Sequence, residues 1–227
     1  MNKILIIASH PDDEVLGCGA SIKRFSQEGK DVHVYILGEG ITSRHSSNGA
    51  EVSAEVKALQ ATSQKVASFL GAKSCRVGDL PDNRFDTLAM LDIVRKIEGV
   101  VQELQPDTVF TQDAGDLNID HAVTFRAALT AVRPIAGSCV KRFFSYEVNS
   151  STDWAFGRFK PVFNPNYFVD VSRFIDSKIE AMKMYVGEDR EFPHPRSDKA
   201  IMAQAQKLGS VCGCAAAEAF QIIFSII

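Results

Sequence analysis

The chain has 227 residues, 45% of them hydrophobic, enough for one large domain with a sizeable core. A net charge of −3 argues against a broad basic surface for nucleic acid, and no run of about 18 apolar residues predicts a membrane span. The five cysteines (Cys18, Cys75, Cys139, Cys212 and Cys214) are odd in number and lack framework spacing, which fits a reducing cytoplasm; the apolar run after Met1-Asn2-Lys3 is too short for a signal-peptide core.

In chain order, residues 3–8 predict a short buried strand, and His10-Pro11-Asp12-Asp13-Glu14 follows it. A helix is expected over 15–28, a second strand over 32–37 closed by Gly38-Glu39-Gly40, and a polar loop over 41–51. A helix over 52–70 stops at Gly71, a weaker strand spans 74–77, and 79–84 is a turn-rich loop. An amphipathic helix is expected over 87–104, a fourth strand over 108–111, an acidic loop over 113–118, a helix over 122–132 and a fifth strand over 142–148. Beyond residue 150 the pattern loosens. Residues 151–168 predict an irregular covering segment, then two helices at about 173–186 and 197–209, and a last strand over 219–227.

Strand and helix alternate five times, which predicts an α/β, Rossmann-like, mainly parallel sheet flanked by helices, as a single domain over 1–227. Polar residues that follow the strands then share one sheet edge, where open α/β folds bind ligands. They are His10, Asp12, Asp13 and Glu14 after the first strand, Glu39 and Arg44 after the second, Asp82 and Arg84 after the third, and Asp113, Asp116, Asp120 and His121 after the fourth.

His-x-x-Asp can give one metal two ligands, and His121 is the best-placed third donor. Three N/O ligands leave an open position for water, as catalytic zinc requires. Asp12 neighbours two ligands without being needed as one, so it is the natural general base. Glu14 orients a ligand or caps the following helix, and Asp120 steadies a ligand. Two acidic residues opening a helix also occur for electrostatic reasons alone, but that does not explain the second Asp-His pair after a later strand. Gly17-x-Gly19 is a weak dinucleotide signal, because Ile22 stands where the third Gly belongs and the preceding loop is acidic. Cys212 and Cys214 are expected to be small buried residues rather than a metal pair.

The stretch from His10 to Glu14 after an apolar strand resembles the signature of the PIG-L/LmbE-like N-deacetylases. Gly38-Glu39-x-Ile41, the Phe69-Leu70-Gly71 helix ending and Asp120-His121 agree with it over most of residues 3–133, while Phe192-Pro193-His194-Pro195-Arg196-Ser197 has the look of one branch. The resemblance implies a metal-dependent hydrolase with Zn2+ or another divalent ion, ligands His10, Asp13 and His121, and Asp12 as base. It would remove an N-acetyl group from an N-acetylglucosamine-type sugar, within bacterial surface-polysaccharide or glycoconjugate metabolism. The alternatives are another N-acyl amide (N-formyl or a thiol conjugate) or a metal- or sugar-binding module without turnover. Asn118 departs from the family, whose second motif usually has His there, and Asn cannot transfer a proton at neutral pH. His194 is the candidate replacement. Glu39, Arg44, Asp82, Arg84 and Arg196 are candidate sugar contacts, and Trp154 or Tyr167 could stack on a sugar face. The expected partner is a small N-acylated sugar or conjugate, with no nucleic acid and no membrane span; a homo-oligomer is left open.

Overall fold

The computed structural model describes residues 1–44 and 50–227, without the side chains of Arg44, Ala50 and Glu51. Its strands are β1 (Lys3–Ala8), β2 (Asp31–Gly38), β3 (Ser74–Leu80), β4 (Thr108–Gln112), β5 (Arg142–Tyr146), β6 (Tyr167–Asp170) and β7 (Ala217–Ser225). They form one sheet in the order β3-β2-β1-β4-β5-β7-β6, in which only β7 runs antiparallel to its neighbours. The helices are α1 (Asp13–Gln27), α2 (Ala50–Leu70), α3 (Met90–Leu104), α4 (Ile119–Ala131), α5 (Ser151–Trp154), α6 (Ile175–Met184) and α7 (Asp198–Cys212).

The apolar run of β1 reflects burial on both faces. Ile4, Ile6 and Ala8 enter the core shared with α1, α2, α6 and α7, while Leu5 and Ile7 enter the core shared with α3 and α4. The sheet grows from β1 toward β3 on one side and from β4 toward β5 on the other. The chain therefore leaves β1 and β4 in opposite directions, and their carboxyl ends open a crevice at the point where the winding reverses. Gly40 lets the loop after β2 approach that crevice. Its φ is +76°, and a Cβ there would stand 2.4 Å from Cδ of Pro11.

Several boundaries differ from expectation. α1 starts at Asp13 and α4 at Ile119, because polar first-turn residues belong to these helices although they interrupt the apolar pattern. β3 runs on to Leu80, into residues expected to form a loop, as an edge strand with little burial. α3 starts at Met90, after a 3-10 turn at Phe85–Thr87, and β5 stops at Tyr146. The covering segment contains α5 and strand β6, which four residues after Pro165 could not announce; β6 exists through its pairing with β7. Tyr167 accordingly packs on Phe144, with ring centroids 4.9 Å apart, rather than awaiting a sugar. Cys212 is exposed, contrary to the expected burial, with its sulfur 3.4 Å from that of Cys214.

Candidate active site

The turn after β1 folds His10 onto Asp13. The His10 carbonyl accepts from the Asp13 N–H at 3.3 Å, and the His10 N–H donates to Asp13 Oδ2 at 2.9 Å. Between them Asp12 sits at φ +104°, a strained backbone for a residue with a side chain. Glu14 holds that strain: its Oε2 accepts the Asp12 N–H at 3.0 Å. From the other wall of the crevice, Asn118 caps α4 by accepting the Asp120 N–H at 2.9 Å, which sets Asp120 and His121 in the first turn.

Asp13 Oδ2 lies 3.4 Å from His10 Nδ1 and 3.2 Å from His121 Nε2. Two ligand atoms at about 2.0–2.1 Å from a tetrahedral ion stand roughly 3.3 Å apart, so this trio has the spacing of a shared metal. The far nitrogens are engaged elsewhere. His10 Nε2 is 2.9 Å from Asp120 Oδ2 and 3.4 Å from Asp82 Oδ1, and His121 Nδ1 is 3.1 Å from Asp116 Oδ2, an ionic contact without hydrogen-bond alignment. Gln112 Nε2 donates to Asp13 Oδ2 at 2.9 Å. Carboxylates behind each imidazole fix the ring nitrogen that faces the metal position.

The electrostatics suit a cation. Burial disfavours the charged form of His10, yet its bonds to Asp120 and Asp13 raise its pKa to about 9. His121 is likewise held well above the usual imidazole range by Asp13 and Asp116, against burial. Burial works against ionised Asp13 too, but both imidazoles keep its carboxyl well below the usual range. These side chains hold protons that a metal would displace. Asp12 is buried beside the trio without joining it; burial pushes its carboxyl up to about 7, against the pull of Arg196.

The trio opens into a cleft lined by Asp12, Ser43, Asp82, Asn83, Asn118, Ser151, Glu188 and Arg196, among others. Of the expected sugar contacts, Asp82 and Arg196 line it. Glu39, which accepts from the Thr42 hydroxyl at 2.5 Å, and the exposed Arg84 do not, and the Arg44 side chain lies outside the described residues. His194 is also absent from the lining; its Nδ1 accepts the Arg196 N–H at 3.1 Å and its ring meets Trp154 edge-on at 5.2 Å. Sequence reasoning missed Gln112, Glu188 and the support that Asp116 gives His121. Gln112 carried a signal, a polar residue ending a buried strand, whereas Glu188 carried none.

A mainly parallel α/β sheet whose switch point joins two histidines and an aspartate, with a further buried carboxylate between them, is an arrangement suited to a metal-dependent hydrolase. The chain belongs to the PIG-L family, described as GlcNAc-PI de-N-acetylase, whose model matches residues 5–132. It is thus an enzyme of the metal-dependent N-deacetylase type. The diacetylchitobiose deacetylase of Thermococcus kodakarensis is 26% identical over 199 residues, 85% of this chain and 71% of that protein. The solved N,N'-diacetylchitobiose deacetylase of Pyrococcus horikoshii superposes with a TM-score of 0.77 at 19% identity, covering 98% of this chain and 84% of that one. The 4-carboxy-2-hydroxymuconate hydratase of Pseudomonas putida KT2440 superposes equally well, with a TM-score of 0.77 at 20% identity over 100% and 98% of the two chains. The shared fold therefore does not choose the reaction; the site must.

Proposed function

We propose that this enzyme, as one catalytic domain, hydrolyses the acetamido group of an N-acetylglucosamine-type sugar, with zinc held by His10, Asp13 and His121 and Asp12 as the general base. The observation that carries the reading is the position of Asp12. It is buried and next to a ligand in the chain, yet outside the ligand set. A binding module has no use for such a carboxylate.

His10, Asp13 and His121 would hold the zinc, which would supply Lewis acidity at the amide carbonyl and the attacking water. Asp12 takes the proton of that water. The carboxyl that has taken that proton can then pass it to the leaving amine. Among the described residues the cleft is lined by no imidazole besides the two ligands, which supports Asp12 in both roles. Asp120, Asp116 and Gln112 orient the ligands, and Glu14 holds the base.

Ser43, Asp82, Asn83 and Asn118 offer partners for sugar hydroxyls. The Ser43 hydroxyl donates to Asp82, and Asn118 Nδ2 donates to Asn83 Oδ1 at 3.2 Å, so this wall is already ordered. No described helix is long and apolar enough to cross a membrane, and the five free thiols support a reducing compartment. Acetate release from N-acetylated sugars and their nucleotide conjugates tests the reading. Turnover with zinc, lost on chelation and restored by zinc, is expected. Formate release from N-formyl analogues alone would reassign the acyl group, and sugar binding without turnover would overturn the enzyme reading.

A further inference from the structure

Arg196 reaches Asp12 from the turn before α7. Its Nη1 lies 2.7 Å from Asp12 Oδ2 and 3.0 Å from Glu188 Oε2, and its Nε donates to Ser150 Oγ at 3.0 Å. All three charged side chains are largely buried. We infer that Arg196 is a positioning residue that acts on the reaction through Asp12, with Glu188 as its second counter-ion and His194 as the residue that fixes its turn. The inference rests on Asp12 being the base.

Three physical points carry it. First, Arg196 occupies Asp12 Oδ2 and thereby sets the carboxylate plane, which leaves Oδ1 as the oxygen that accepts the proton. Secondly, Glu188 sits on the same Nη1 as Asp12, so the guanidinium is held between two carboxylates and its position does not depend on Asp12 alone. Thirdly, the turn is built around His194. Its N–H donates to the Glu191 carbonyl at 3.0 Å, its carbonyl accepts from Ser197 at 3.0 Å, and its Nδ1 accepts the Arg196 N–H. A side chain closing a turn on the backbone two residues ahead is the geometry that Asn adopts in Asx turns. His194 therefore serves the site through Arg196 and need not carry a proton.

The test uses the zinc-loaded full chain, with N,N'-diacetylchitobiose and N-acetylglucosamine as probes and acetate release as readout. R196M is expected to lower kcat about 100-fold, with KM within about twofold and zinc content unchanged, the scale set by misplacing a reacting group by about 1 Å. R196K, which keeps the charge, falls between R196M and wild type. H194A is expected to lower kcat about tenfold, and H194N, which accepts the same N–H, to restore most of it. A raised KM at unchanged kcat in R196M would return Arg196 to sugar binding. An H194N variant as impaired as H194A, with an altered pH profile, would return the proton to His194. A second readout is independent of turnover. In metal-free protein, R196M is expected to shift the unfolding midpoint at least twofold less in a D12N background than in wild type, and additive shifts would overturn the link. Absence of acetate release by wild type would count against the proposed function, while this cycle would still decide the contact.

Discussion

The Tyr185 hydroxyl lies 2.6 Å from Oε1 of Glu14, across 171 positions of the chain. The other oxygen of that carboxyl holds the Asp12 N–H, so the end of α6 props the strained turn that carries Asp12, the proposed base. Burial pushes the Glu14 carboxyl up to about 8, and the Tyr185 bond opposes the rise. Y185F keeps the buried ring and loses only this bond, so kcat should fall about tenfold, the worth of roughly 1.4 kcal/mol. E14Q can still accept the Asp12 N–H and should fold normally. E14A leaves that N–H buried and unpaired, and should lose about 1–3 kcal/mol in denaturant unfolding. An E14A variant as stable as wild type would show that the turn holds itself.

Asp12→Asn separates base from ligand. Asparagine fills the same space but cannot take a proton, so turnover should fall by about 10²–10⁴-fold. Zinc content should not change, because the trio of His10, Asp13 and His121 is intact; H121A should lose both metal and activity. Metal analysis beside acetate release reads the difference. Near-full activity in D12N would place the base elsewhere.

Metal loading should release protons. In the metal-free protein His10 is raised to about 9 and His121 well above its usual range, so both are charged at pH 7. A metal needs them neutral, so uptake should expel about two protons, and affinity should fall as pH is lowered. Calorimetry in buffers of different ionisation enthalpy counts them. No net release would mean that the ion sits on other ligands.

What the sequence disclosed was local. β1 and the motif from His10 to Glu14 are legible because an apolar run and a four-residue spacing need no knowledge of the rest of the chain. His121 could be added because strand alternation fixes which loops share an edge. Arg196, Glu188, Gln112 and Tyr185 act on the motif from 99 to 184 positions away, through contacts that only the packed loops define. Standing after a strand was also too coarse a criterion: it placed Glu39 and Arg84 beside Asp82, yet only Asp82 reaches the cleft. β6 was hidden for the same reason, since its evidence lies in β7.

Gly17, half of the weak Gly-x-Gly signal, has a packing role instead. A Cβ there would stand 2.1 Å from Cδ2 of Tyr146, a fully buried ring whose hydroxyl donates to the Ile7 carbonyl at 2.8 Å. G17A must displace either that ring or α1, which carries Asp13. The expected cost is about 1–3 kcal/mol, with weakened metal retention. Unfolding midpoints and metal content check it, and a neutral G17A would mean that Tyr146 has room to shift.

Glu147 does not line the metal cleft; it borders a second pocket with Lys178, Gln204 and Glu218. Burial, with help from Asp153, pushes its carboxyl from 4.5 up to about 7. Between those two pH values the folded chain keeps a proton that the unfolded chain has released, so folding takes up a proton. Stability from this group is then fully present below pH 4.5, declines as pH rises and levels off above about 7. The loss across the window should be on the order of 3 kcal/mol, given about 1.4 kcal/mol per pH unit for one proton. E147Q mimics the protonated acid at every pH, so its stability should match wild type near pH 4.5 and exceed it near pH 8. The difference between their urea midpoints isolates Glu147 from every other titrating group, and parallel curves would show that its carboxyl is already solvated.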